Sequence, residues 1–152
     1  MNISDSLSYS VSLEVSVPAK RAFAYLSDPT MLGRWALGCF ETKPAAEEGL
    51  FKGTSLFDGL ETWFRIETDE NRLLIDYLVG GPEEQLPRIS TRVIPGPHYG
   101  RDRERCIVTM TAWRTTDMSD MRWQRLRASH DAEIFLIQAQ LENPASHKYQ
   151  QV

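Results

Sequence analysis

Apolar and polar side chains alternate strictly near the start of the chain. Tyr9, Val11, Leu13, Val15 and Val17 interleave with Ser8, Ser10, Ser12, Glu14 and Ser16. This period of two, over Leu7 to Val17, predicts a β-strand with one buried face. Pro18 suits the first position of a following helix, where a missing N–H costs nothing. Ala22, Phe23 and Leu26 give that helix an apolar side. Asp28-Pro29 reads as a second helix start, a capping carboxylate followed by proline, leading to Met31, Leu32 and Trp35.

From Gly38 to Thr115 the pattern changes to short alternating runs separated by turn residues. Strands are predicted over 51–57, 61–68, 72–80, 88–94 and 104–114, with a weaker one over 39–43. The punctuation is Glu47-Glu48-Gly49, Asp58-Gly59, Asp69-Glu70-Asn71, Gly80-Gly81-Pro82 and Pro95-Gly96-Pro97. A turn centred on Glu70-Asn71 makes Phe64 face Tyr77 and Ile66 face Ile75 on the inner side. Arg65 then faces Asp76 as an outer ion pair, and Trp63 faces Leu78. Trp63, Leu74 and Leu78 form an apolar outer patch, a candidate homodimer contact.

The last element is a long helix. Asp117 is the candidate N-cap, Asp120 favours the dipole in the first turn, and Asn143-Pro144 stops it. At helical spacing Trp123, Leu126, His130, Ile134, Ile137 and Leu141 fall within about 40° of His130. The helix thus carries a narrow apolar stripe with a histidine at its centre.

The 152 residues correspond to one domain. The core is expected over 8–142, with flexible tails at 1–7 and 144–152. The net charge of −4 argues against nucleic acid as the main partner, because phosphate binding needs clustered positive charge. No apolar run is long enough to span a membrane, and the first residues do not read as a secretory signal. Cys39 and Cys106 make no disulfide framework, so a cytoplasmic location is expected. His98, His130 and His147 with the two cysteines show no metal-ligand spacing. There is no Gly-rich phosphate loop and no nucleophile elbow. No metal or other cofactor is therefore called for.

The run Val15-Ser16-Val17-Pro18-Ala19-Lys20-Arg21-Ala22-Phe23-Ala24-Tyr25-Leu26-Ser27-Asp28-Pro29, followed by Leu32 and Trp35, resembles a known pattern of strand, proline, helix, Asp-Pro and tryptophan. It is the opening of the helix-grip fold of the SRPBCC superfamily, which includes birch-pollen-allergen-like proteins, StAR-related lipid-transfer domains and polyketide cyclase/dehydrase-like proteins. The terminal amphipathic helix is similar too, and the likeness covers roughly Ser8 to Glu142. The resemblance implies an α+β architecture. About seven antiparallel strands would curve around the long C-terminal helix, with two short helices after the first strand. It also implies a cavity between sheet and helix for a hydrophobic small molecule. These motifs are structural and speak to fold more than to function.

His130 is the sharpest chemical candidate. Facing such a cavity, it can hold a ligand oxygen or move a proton, and it can equally be a satisfied core histidine. Tyr77 offers a ring wall and a hydroxyl. Phe64, Trp35, Met110, Trp123, Ile134 and Phe57, with Phe40, are wall candidates, against a competing reading as plain core. Met110 requires Cys106, Val108, Met110 and Ala112 to face inward, whereas Ile107 and Trp113 argue for the opposite phase. The segment Pro95–Gly100 reads as a long turn or a lid. Three functions stay open: binding a small hydrophobic or aromatic ligand; a cofactor-independent cyclase or dehydratase with His130 as acid/base; and a protein-interaction module similar to the heat-shock-ATPase-activator-like branch.

Overall fold

The computed structural model describes residues 7–143. The expected tails at 1–6 and 144–152 lie outside the described residues. Leu7 does not behave as tail, because its carbonyl accepts a hydrogen bond from Arg114 N at 2.8 Å.

The alternating first segment forms β1 (Ser8–Val15), and Pro18 stands one residue ahead of α1 (Ala19–Leu26) rather than inside it. Pro18 still opens the helix, since its carbonyl accepts from Arg21 N and Ala22 N. α2 (Pro29–Leu32) is capped as expected: the Asp28 side chain accepts from Thr30 N at 2.9 Å. It ends before Trp35, which sits buried in the turns that follow. Then come β2 (Phe40–Pro44), β3 (Phe51–Thr54), β4 (Glu61–Asp69), β5 (Leu74–Gly80), β6 (Gln85–Pro95), β7 (Cys106–Trp113) and α3 (Asp120–Glu142).

The seven strands make one antiparallel sheet in the order β1-β7-β6-β5-β4-β3-β2. The sheet curves around α3, which is the helix-grip fold. No helix of the described residues is long and apolar enough to cross a membrane.

The β4–β5 register differs from the expectation by two residues. Ile66 faces Tyr77, Phe64 faces Val79 and Thr68 faces Ile75. The cause is the turn chemistry of Asp69, whose Oδ1 accepts from both Asn71 N and Arg72 N, while Leu73 takes a positive φ of 52°. This moves the turn centre toward Asn71-Arg72. A shift of two preserves parity, so Phe64, Ile75 and Tyr77 stay inside. The Arg65–Asp76 pair does not form. Arg65 faces Leu78, and its guanidinium binds Glu47 at 2.5 Å and Gln85 at 3.1 Å. Trp63 faces Gly80, and Trp63, Leu74 and Leu78 are half-buried rather than an open patch.

On β7 the inward phase is Cys106, Val108, Met110 and Ala112, all at most 1% exposed, while Trp113 is 43% exposed. Both cysteines are free and buried. The Pro95–Gly100 segment is a 3-10 turn, not a lid. Tyr99 OH donates to Glu14 at 3.0 Å, which ties the turn to the end of β1.

α3 is held along β1 by polar ties and burial together. Tyr9 OH donates to Asp131 at 2.5 Å, Gln138 Nε2 to the Glu14 carbonyl at 3.2 Å, and Ser16 N to Glu142 at 3.1 Å. Ile134, Ile137 and Leu141 sink into the core with Val15, Val17, Ala22 and Leu26. The N-cap is Ser119, not Asp117: Ser119 Oγ accepts from Arg122 N at 3.2 Å, whereas Asp117 accepts from the Thr115 hydroxyl. Replacing Ser119 by Ala should cost about 1 kcal/mol of stability. Asp117→Ala should cost less, and urea melts of the two variants decide which residue caps the helix.

Candidate functional site

The C-terminal half of α3 lies on the core through Ile134, Ile137 and Leu141, and Trp123 near its start packs against Ala112 of β7. Between these contacts opens a cavity of about 730 Å³. Its inner wall is built from Leu32, Trp35, Cys39, Phe64, Tyr77 and Met110, with Leu126, Ser129, His130 and Glu133 on the α3 side. Gly53 lets β3 close over this wall, because a Cβ there would meet Cys39 Sγ at 2.6 Å.

A void of this size cannot be dry. Because the cavity opens to solvent, water enters it whenever no ligand does. Water or a ligand must therefore fill it. Three residues of the lining, Trp35, His130 and Arg88, also hold buried polar atoms (Nε1, Nδ1 and Nε) with no hydrogen-bond partner among the described residues. Each orphaned polar atom costs about 1–3 kcal/mol unless something in the cavity satisfies it.

Tyr77 is different. Its hydroxyl donates to the Leu26 carbonyl at 2.7 Å, tying β5 to the end of α1. Burial pushes its phenol well above the usual range. Its ring meets Trp35 edge-on, with centroids 5.8 Å apart.

His130 is 2% exposed, and burial pulls its pKa down to about 4, so it is neutral at pH 7. Three residues on, Glu133 is 5% exposed, and burial pushes its pKa up to about 7. Glu133 Oε2 accepts from Leu37 N at 2.8 Å, while Oε1 lies 3.8 Å from His130 Nε2. The pair is thus a neutral imidazole beside a carboxyl that is half-protonated near neutrality. An imidazole this weakly basic is a poor general base at pH 7, whereas a carboxyl titrating near 7 suits proton transfer. Glu133 was not visible in the apolar stripe because it sits about 60° from His130 around the helix. The signal that marks it is a carboxylate on the stripe's flank, one turn from the histidine.

Of the wall candidates, Trp35, Phe57, Phe64, Tyr77, Met110 and His130 line the cavity. Trp123 and Ile134 do not. Trp123 packs with Ala112 and Met118 in a separate small cluster. Ile134 lies one turn past His130, where α3 has already closed on the core. Phe40 is 37% exposed on β2, away from the cavity. Phe57 stands at the mouth, 45% exposed, under the Arg125 guanidinium at 5.4 Å.

The mouth carries charge. Arg88, Arg122 and Arg125 line it together with Asp58, Glu61 and Asp117. Asp117 is held below the usual carboxylate range, first by the Thr115 hydroxyl and its own backbone, then by Arg88 and Arg122.

No protein-family model matches this chain, and no curated protein matches it significantly. Solved structures share its fold. A START superfamily protein from Mycobacterium smegmatis superposes with a TM-score of 0.65 at 9% identity, covering 90% of this chain and 97% of that one. The Zhui aromatase/cyclase from Streptomyces sp. R1128 gives 0.65 at 15% identity, over 91% and 94%. The Aha1 dimer from Colwellia psychrerythraea gives 0.64 at 12% identity, over 90% and 97%. Identities this low speak for the helix-grip fold alone.

The His130–Glu133 pair has a signature in pH. His130 is depressed from 6.5, so the stability it contributes is present above pH 6.5 and is lost as pH falls through about 4. Glu133 is raised from 4.5, so its contribution is present below pH 4.5 and is lost as pH rises through about 7. The two nearly cancel between pH 4.5 and 6.5. Single replacement should expose each one. Glu133→Gln should lose stability on acidification, and His130→Gln on the rise toward pH 7, each on the order of 3 kcal/mol. Melting temperatures from pH 4 to 8 test this; parallel profiles for both variants and the parent would refute it.

Proposed function

We propose that the chain binds a small hydrophobic or aromatic molecule in the cavity between the sheet and α3. The observation that carries this reading is the cavity itself, about 730 Å³, walled by Trp35, Phe64, Tyr77 and Met110 with the polar side chains of His130, Glu133 and Ser129 among them. Ligand sites have this composition: apolar surface for affinity, at about 25 cal/mol per Å², and a few placed polar groups for orientation. The aromatic walls Trp35, Phe64 and Tyr77 suit a flat or ring-bearing molecule. Folds of this kind serve in a START superfamily protein and in an aromatase/cyclase, which is consistent with a cavity that accepts apolar molecules.

A second reading is a cofactor-independent cyclase or dehydratase. One observation favours it: Glu133, with a pKa of about 7, faces the cavity beside His130. In that case Glu133 rather than His130 moves the proton, and the neutral imidazole orients the substrate oxygen. The interaction-module reading has less support, because Trp63 and Leu78 are half-buried within the monomer. For the same reason a homodimer through Trp63, Leu74 and Leu78 is not favoured, although one similar fold is a dimer.

The neutral fluorophore N-phenyl-1-naphthylamine should bind saturably with enhanced emission. Leu126→Trp, which fills the α3 side of the cavity, should weaken it at least about tenfold. Native mass spectrometry of protein taken from cells should show a copurified apolar mass. Absence of saturable binding, or binding untouched by Leu126→Trp, would overturn the proposal. Turnover lost in Glu133→Gln while ligand affinity survives would instead select the enzyme.

A further inference from the structure

The mouth of the cavity is close to electrical balance. Arg88, Arg122 and Arg125 line it against Asp58, Glu61 and Asp117. Arg88 reaches it through a β-bulge on β6, since Tyr77 pairs with Ile89 but Leu78 pairs with Pro87. Asp117 is its counter-charge. The opening therefore asks for no ionic group, and the selectivity of the cavity lies deeper, with its neutral hydrogen-bonding groups. Two of those are already spent inside the protein. The Tyr77 hydroxyl donates to the Leu26 carbonyl at 2.7 Å, and the Ser129 hydroxyl to the Arg125 carbonyl at 2.8 Å.

His130 and Glu133 are the exception. Both line the cavity, and Glu133 keeps 6% of its side-chain surface exposed. Glu133 Oε2 accepts from Leu37 N at 2.8 Å, and His130 Nδ1 is buried without a partner. That leaves Nε2 and Oε1, which face each other across 3.8 Å. The gap is too long for a direct hydrogen bond, yet one oxygen beside it comes within about 2.7–3.0 Å of both atoms. The pair also defines which oxygen. Desolvation keeps the imidazole neutral at pH 7, so it holds one N–H and one lone pair. A lone pair on Nε2 would face the lone pairs of Oε1, so the proton sits on Nε2 whenever Glu133 is ionised. The gap then has a donor on one side and an acceptor on the other. A hydroxyl both donates and accepts, and it satisfies the two together. An ether or a carbonyl brings Oε1 no proton, and an ammonium brings the imidazole N–H no lone pair.

We propose that the ligand carries a hydroxyl on its ring system, and that this hydroxyl seats in the gap, donating to Glu133 Oε1 and accepting from His130 Nε2, with the rings against Trp35, Phe64 and Met110. This rests on the reading of the cavity as a ligand site and adds the chemical class, a neutral phenol or ring alcohol. Glu133 is then the residue that determines specificity. A ligand that lacks the hydroxyl displaces water from the gap without replacing its bonds.

The test uses 2-naphthol and 2-methylnaphthalene, probes of nearly equal shape in which a methyl replaces the hydroxyl, titrated into the full chain at pH 8. Glu133, whose carboxyl burial pushes up to about 7, is mostly ionised there. Apolar burial alone favours the methyl probe. The naphthol should nonetheless bind about tenfold tighter, the size expected of one charge-assisted hydrogen bond. Glu133→Gln should bring the ratio to one or below. Its amide oxygen stays with Leu37 N–H and its NH2 turns to the gap, where the hydroxyl proton finds no acceptor. If Glu133→Gln fails to fold, His130→Leu replaces it, and the ratio should fall about threefold. A ratio at or below one in the parent chain, or a naphthol preference that survives the replacements unchanged, overturns this inference while leaving the ligand site intact. Saturation by neither probe overturns the ligand site as well.

Discussion

Everything in this molecule depends on α3 being seated near both ends, with the cavity between the two contacts. Ile134, Ile137 and Leu141 are at most 4% exposed and merge with Val15, Val17, Ala22 and Leu26. Burial of three such side chains is worth roughly 5–9 kcal/mol before entropy is counted. The ties from Tyr9, Ser16 and Gln138 run along the same contact and fix the helix in rotation. Near its other end Trp123 packs against Ala112 and Met118, so α3 spans the curved sheet between two fixed contacts. Where β7, β5 and β4 bend away, the side chains of Met110, Tyr77 and Phe64 do not reach across, and the cavity follows.

The same constraint explains the electrostatics of His130 and Glu133. They sit on the stretch of α3 between the Trp123 and Ile134 contacts, deep enough to lose water but not packed against compensating charges. Desolvation is then the largest cause of both shifts, and it acts in opposite directions on a base and an acid. The result is a pair that stays mostly uncharged around neutral pH. An uncharged pair is what an apolar cavity tolerates, since a full ion pair there would carry a desolvation cost that Coulomb attraction need not repay. The imidazole Nδ1 is itself buried and has no hydrogen-bond partner among the described residues.

Much of this architecture is legible in the sequence because it obeys periodicities. The strict alternation of β1, the Asp28-Pro29 start of α2 and the 3.6-residue stripe of α3 are each short-range signals, and each describes its element. The inward faces of β4 and β5 were readable for the same reason, since a two-residue error in the turn preserves parity. What the sequence could not announce is what depends on local hydrogen-bond competition or long-range placement. Asp69 captures two backbone N–H groups and lengthens its turn; Ser119 takes the cap from Asp117 because the helix begins two residues later than an Asp117 cap would start it. Glu133 looks like a surface carboxylate until Leu37, nearly a hundred residues earlier, is brought to it. Trp123 and Ile134 share the stripe with His130, but the stripe turns from core to cavity and back along its length, which no helical wheel records.

The bulge at Arg88 is the sharpest case of a local irregularity with a consequence at the site. A regular β6 would alternate Thr91 and Ile89 inward with Arg88 outward, and the mouth would keep two arginines from α3 against three carboxylates. Inserting one residue opposite Leu78 adds Arg88 to the lining, so that three arginines meet three carboxylates at the mouth. It does so beside Pro87, at a position where β7 no longer pairs with β6, so the ladder loses little by the disruption. A defect that is cheap in hydrogen bonds thus brings the opening close to charge balance. The sheet edge where strand pairing ends is therefore also where an arginine enters the cavity wall.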